Sequence, residues 1–120
     1  MGRRTILPKF QVFKNVSTVG NPSSDITECT PVDRITYEVE IDPTVNAQLE
    51  VHYCNDPRIS DSSLFKPISF NQPTPLDGSM NTQGMVHIQN LGFKHLRLVV
   101  LNNGGTGNIR AWVSGTVEGA

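Results

Sequence analysis

His52 and Cys54, two residues apart, are the best pair in this chain for holding a soft metal ion. On a strand, positions i and i+2 share a face, so imidazole and thiolate point the same way. His87 or His95 could complete an N/S ligand set. The pattern stops there: there is no Cys-x-x-Cys and no His-x-x-x-His, and further ligands would have to arrive from distant segments. Histidines on the polar face of a strand are more often plain surface residues, and no metal or other cofactor is expected. A Ser/His/Asp triad can be scattered along a chain, but no Gly-x-Ser-x-Gly elbow is present to activate a serine. Ser60-Asp61-Ser62-Ser63 reads as a solvated loop, and Glu38, Glu40 and Glu50 lie dispersed on polar positions rather than paired for acid/base work. Gly104-Gly105-Thr106-Gly107 lacks the Lys-Ser/Thr of a phosphate loop and precedes no helical pattern. The chemistry-bearing residues thus point away from an enzyme and towards a structural or binding role.

The elements that would position these residues are strands. No window keeps apolar residues at i, i+3, i+4 and i+7 without a Pro or Gly interruption, whereas period-2 segments recur. In Asp33–Ile41, Ile35, Tyr37, Val39 and Ile41 share one face, and Arg34, Thr36, Glu38 and Glu40 share the other. That is the alternation of an antiparallel sheet with one wet face. Ala47–Cys54 repeats it with Leu49, Val51 and Tyr53 inward. Leu64–Phe70 reads as an edge strand, or one split by Pro67, and Asn71–Gly84 as a long loop with room for a short strand. Phe10–Phe13 is a short candidate strand and Ile26–Cys29 a second weak one, and Met85–Asn90, His95–Leu101 and Asn108–Val117 complete the set. Residues 102–107 between the last two carry the glycines that suit a long hairpin. Seven or eight short strands predict an all-β fold: an antiparallel β-sandwich. On Asn108–Val117 either face could be inward. If Ile109, Ala111 and Val113 are core, Trp112 is displayed beside Arg110 as an interface candidate; otherwise Trp112 caps the core.

Length and composition fit one domain: 120 residues, eight Pro, ten Gly and 18% charged residues. Two cysteines, Cys29 and Cys54, without a secretory signal suggest two free thiols rather than a disulfide framework. The N-terminus has no apolar h-region, and no stretch approaches the roughly 18–20 apolar residues of a membrane span. The net charge of −1 hides an asymmetry, since Arg3, Arg4, Lys9 and Lys14 fall within the first fourteen residues, which hold no acid. This basic-apolar stretch predicts an extended N-terminal arm over residues 1–16, ahead of a single sandwich domain over 17–120. A pI near 6.3 and few exposed aromatics argue against nucleic acid as a partner.

Three segments carry a resemblance: Arg3-Arg4-Thr5-Ile6-Leu7-Pro8, the stretch from His87 to Leu98, and Gly105-Thr106-Gly107-Asn108-Ile109-Arg110-Ala111-Trp112-Val113-Ser114-Gly115. Together they resemble small virion proteins of tailed bacteriophages, over about a third of the chain and with the middle unmatched. The resemblance implies a β-sandwich or jelly roll that decorates or cements the capsid exterior. It would bind the major capsid protein as a homo-oligomer, dimer or trimer, after assembly in the host cytoplasm, and it implies no catalytic residues. On this expectation Arg3, Arg4, Ile6, Leu7 and Phe10 of the arm, with Arg97, Arg110 and Trp112 of the closing strands, contact the partner. The rival readings are another virion part (a head–tail connector, tail or fibre-associated component), a carbohydrate-binding sandwich using Trp112, Tyr53 or Tyr37, and a hydrolase with dispersed catalytic residues.

Overall fold

The computed structural model describes residues 4–29, 32–58, 62–68, 74–89 and 92–117. Among these, nine strands and one short 3-10 turn (Ser62–Leu64) form two antiparallel sheets. The strands are β1 (Arg4–Ser17), β2 (Thr27–Glu28), β3 (Arg34–Ile41), β4 (Asn46–Cys54), β5 (Lys66–Pro67), β6 (Thr74–Asp77), β7 (Gln83–Gln89), β8 (His95–Asn102) and β9 (Asn108–Val117). One sheet has the order β1-β9-β3-β7; in the other, β2-β8-β4 is flanked by β5 and β6. β5 and β6 pair with successive stretches of β4, on the side away from β8. Counting β5 and β6 as one position gives eight strand positions, four to a sheet, arranged as in a jelly roll.

The alternation predicted for β3 and β4 is realised. Ile35, Tyr37, Val39 and Ile41 meet Ala47, Leu49 and Val51 between the sheets, and β8 adds Leu96, Leu98 and Val100. Tyr37 is the largest fully buried side chain, and its hydroxyl reaches Thr27 Oγ1 (3.4 Å), a polar link between the sheets. Burial pushes the Tyr37 phenol well above its ordinary pKa and the Cys29 thiol up to about 11. Cys29 and Cys54 are both buried, and no disulfide joins them. On β9, Ile109, Ala111 and Val113 are the buried set, so Arg110, Trp112 and Ser114 face outward. The small Ala111 fits there because Phe13, opposite it on β1, fills the neighbouring space.

Two expectations are corrected. Residues 4–17 are no separate arm: they form a strand of 14 residues bonded along β9, from Arg4↔Val117 to Ser17↔Asn108, and bury Val12 and Phe13. Four register shifts interrupt this pairing, and such bulges scramble the period-2 signal that marks a strand in sequence. The Gly-rich stretch 103–107 is not a hairpin turn either. β8 lies in one sheet and β9 in the other, and both edges of β9 are already taken by β1 and β3. The stretch crosses between sheets, with Gly104 and Gly107 at positive φ.

That crossing packs against a second one, residues 42–45, which links β3 to β4. Thr106 N–H donates to the Thr44 carbonyl (3.2 Å), Asn103 N–H to the Asn46 carbonyl (2.8 Å), and Asp42 N–H to the Asn108 carbonyl (3.1 Å). Asn108 N–H in turn donates to Asp42 Oδ2 (2.8 Å), and Arg110 Nη2 donates to Asp42 Oδ1 (3.1 Å). The Asn108 backbone amide first, and the Arg110 guanidinium second, hold the Asp42 carboxyl below the usual carboxylate range.

Two outcomes follow from this contact. A Cβ on Gly105 would lie 2.3 Å from Asn46 N and 2.7 Å from Thr44 O, both backbone atoms. Gly105→Ala should therefore cost upwards of about 2 kcal/mol in urea unfolding, the scale of a forced backbone shift. Because the folded-state pKa of Asp42 is depressed, its contribution is complete above the unfolded carboxylate value, ~3.9. It is lost as pH falls through the lower folded value. Asp42→Asn should lower stability at neutral pH and flatten the acid limb of a stability–pH curve, read by thermal melts from pH 7 to 2.

Candidate outer-face site

Register places the outward side chains of the β1-β9-β3-β7 sheet in rows. One row runs Gln11–Trp112–Glu38–Met85, and the next runs Arg110–Glu40–Gln83. Ser114–Thr36–His87 follows, with Thr36 Oγ1 and His87 Nδ1 3.0 Å apart. The first two rows border an open groove of about 540 Å³, lined by Lys9, Glu38, Glu40, Gln83, Met85 and Trp112 among others. Lys9 Nζ sits 5.7 Å from the Trp112 ring centroid and 2.9 Å from Glu38 Oε2. Such an exposed ion pair contributes about 0–1 kcal/mol. A tryptophan covered by a partner can contribute 2 kcal/mol or more, so the indole and the neighbouring Met85, 55% exposed, dominate what this face can bind.

Arg110 has a different role from Trp112, although both point out of the same strand. Its guanidinium donates to Glu40 Oε1 (2.9 Å), Asp42 Oδ1 (3.1 Å) and Asn15 Oδ1 (2.7 Å). Asn15 stands at φ 60° between two paired positions of β1, which brings its amide to this cluster. Arg110 therefore ties β1, β3 and the 42–45 crossing together beside the groove.

Arg97, another expected contact residue, is not among the residues that line this groove. Arg97 lies on the outer face of the opposite sheet, half-buried, with its guanidinium 4.3 Å from the centroid of the Phe65 ring. Phe65, Cys54 and Val99 are buried but lie outside the main core cluster. Phe10 is 39% exposed and pairs with Val113. Arg4, Ile6 and Leu7 belong to β1, and Arg3 lies outside the described residues. Lys9, Glu38, Gln83 and Met85 were missed as site residues because nothing in their local sequence says which strands will flank Trp112.

The residues weighed and discounted as metal ligands are likewise divided. His52 Nε2 is 3.0 Å from Glu50 Oε1, and Cys54 Sγ reaches the Asp56 carbonyl (3.5 Å). His95 faces Cys54 across β4 and β8, whereas His87 lies on the other sheet. Among the described residues, no group of three or more His, Cys, Asp or Glu side chains is arranged to hold a metal ion. Ser60 and Asp61 lie outside the described residues. Nearby, Arg58 bonds Asp56 and holds its pKa down to about 2. No helix among the described residues is long and apolar enough to cross a membrane.

No known protein family matches the chain, and no curated protein matches it. Among solved structures, the crystal structure of PirA is similar, with a TM-score of 0.50 over 89% of this chain and 91% of that one, at 17% identity. At that identity the likeness concerns the fold alone, and it agrees with the two-sheet sandwich described above.

Proposed function

We propose that this chain is a non-enzymatic virion protein of a tailed bacteriophage, which decorates or cements the capsid exterior by binding the major capsid protein. One observation carries the binding part of this reading: Trp112 and Met85 form an outward apolar centre on a four-stranded face, ringed by Lys9, Glu38, Glu40 and Gln83. An aromatic anchor inside a polar rim is the usual anatomy of a protein contact. The virion part rests on the sequence resemblance. Jelly rolls serve both in capsids and in lectins, so the fold leaves that choice open. The arm's share of the contact is reassigned, since residues 4–17 are part of the sheet: Lys9, Trp112 and Met85 take its place.

A second reading is favoured by the groove itself. An indole beside carboxylates and amides, Glu38, Glu40, Asn81 and Gln83, can also stack on and hydrogen-bond a sugar ring. Quantitative binding of the purified chain to shells assembled from the major capsid protein tests the first reading, and a glycan array tests the second. Trp112→Ala should weaken shell binding by roughly thirtyfold, the equivalent of about 2 kcal/mol, with the melting temperature little changed. Equal binding by Trp112→Ala, or absence of the chain from purified particles, would sink the capsid reading. Glycan binding that depends on Trp112 would replace it.

A further inference from the structure

The sandwich has four sheet edges, and three of them carry devices that discourage pairing with another chain. β1 has its four register shifts together with Pro8, Lys9 and Lys14. β2 is only 2 residues long, and the edge opposite it consists of the short β5 and β6, with Pro67 and Pro75 exposed. Short strands, bulges, lysines and prolines are the means by which edges are kept single. β7 has none of them. Its 7 residues, Gln-Gly-Met-Val-His-Ile-Gln, contain no Lys and no Pro, and they pair with β3 in unbroken register. Among the described residues nothing pairs with its other edge.

The orientation of the free groups follows from one bond. Ile41 N–H donates to the Thr82 carbonyl (2.8 Å), and antiparallel bonding alternates along a strand. Gly84, Val86 and Ile88 therefore turn their peptide groups towards Val39, Tyr37 and Ile35 of β3. Gln83, Met85, His87 and Gln89 turn theirs outward, where the Gln83 N–H donates to Asn81 Oδ1 (3.1 Å). A row of outward donors and acceptors that no other strand pairs with is a template for another strand.

We propose that this edge pairs with the β7 edge of a second copy, antiparallel about a two-fold axis through Val86, to form a dimer with one continuous sheet. The strand is complementary to itself in that register. Met85 falls opposite His87 of the second copy and Gln83 opposite its Gln89, and these four positions are the ones whose peptide groups point outward; the Gln83 N–H exchanges its bond to Asn81 Oδ1 for one across the new pair. On the outer face the Gln83 and Gln89 amides can bond each other. On the inner face Gly84 falls opposite Ile88 of the second copy. A Cβ on Gly84 would meet nothing within 4 Å, so the bare glycine leaves room for that isoleucine. A shift by one residue would set inward side chains against outward ones, and a shift by two would leave outward peptide groups at both ends unpaired. A two-fold contact of this kind is self-limiting and closes at two copies. It also places two Trp112 grooves on one surface.

The proposal concerns the purified chain alone and stands whether or not a capsid is the partner. Sedimentation and light scattering across concentration should give twice the chain mass. His87→Pro removes an outward amide that β3 does not use, at an exposed position where an edge tolerates proline. It should shift the protein to monomer at the same concentration, with an unchanged circular-dichroism spectrum. Val86→Cys, on the two-fold axis, should cross-link to itself under mild oxidation. A wild-type chain that stays monomeric at about 100 µM, within the range of weak specific dimers, would overturn the proposal. So would a dimer that survives His87→Pro, or failure of Val86→Cys to cross-link while the chain is dimeric.

Discussion

The two sheets are held in relation by the contact between two crossings, residues 42–45 and 103–107. Two of the connections that pass from one sheet to the other, β3 to β4 and β8 to β9, run through this contact. It leaves little slack: Gly105 lies against the Asn46 and Thr44 backbone, and Gly78 against Asp42 and Pro43. Asp42 is the centre of it, accepting from the Asn108 amide and the Arg110 guanidinium while its own amide donates to Asn108. Through Arg110 the same carboxylate is coupled to Glu40 and Asn15. The groove beside Trp112 is thus framed by residues whose first duty is to join the sheets. Binding can exploit such a face without induced ordering, because its frame is fixed by the fold.

How much of this could be read from sequence depends on what kind of information each feature carries. β3, β4, β8 and β9 were legible nearly to the residue, because a sheet with one wet face writes its burial directly into a period of two. The two orientations left open for β9 resolve through volume: Ala111 is small because Phe13 is large, and only the β1–β9 register brings them together. The crossing at 103–107 was read as a hairpin because positive-φ glycines serve either purpose. Which sheet a strand joins is decided by the strands already beside it, and a local turn does not record that. Of β1 only Phe10–Phe13 was legible as a short strand, and the rest was read as an arm because its bulges spoil the alternation and its basic residues suggested a loose terminus.

The candidate site shows the same limit. Trp112 and Arg110 stood out by residue type, yet their different employment, one presented outward and one committed to Asn15, Glu40 and Asp42, depends on cross-strand neighbours. Arg97 resembled Arg110 in sequence, but it lies on the opposite face of the sandwich over Phe65. The residues that complete the groove, Lys9, Glu38, Gln83 and Met85, come from three further strands, and pairing alone makes them neighbours.

The pairing of β1 with β9 has a consequence for how the molecule comes into being. Arg4 lies beside Val117, so the first strand made must wait for the last. β9 also separates β1 from β3, and neither can join the other without it. During synthesis the apolar faces of β1, β3 and β7 therefore remain without a finished sheet until β9 has left the ribosome. Folds built from such distant pairings close slowly, on the scale of milliseconds to seconds, and expose their strands meanwhile. For this chain, completion of the β1-β9-β3-β7 sheet is governed by the arrival of β9.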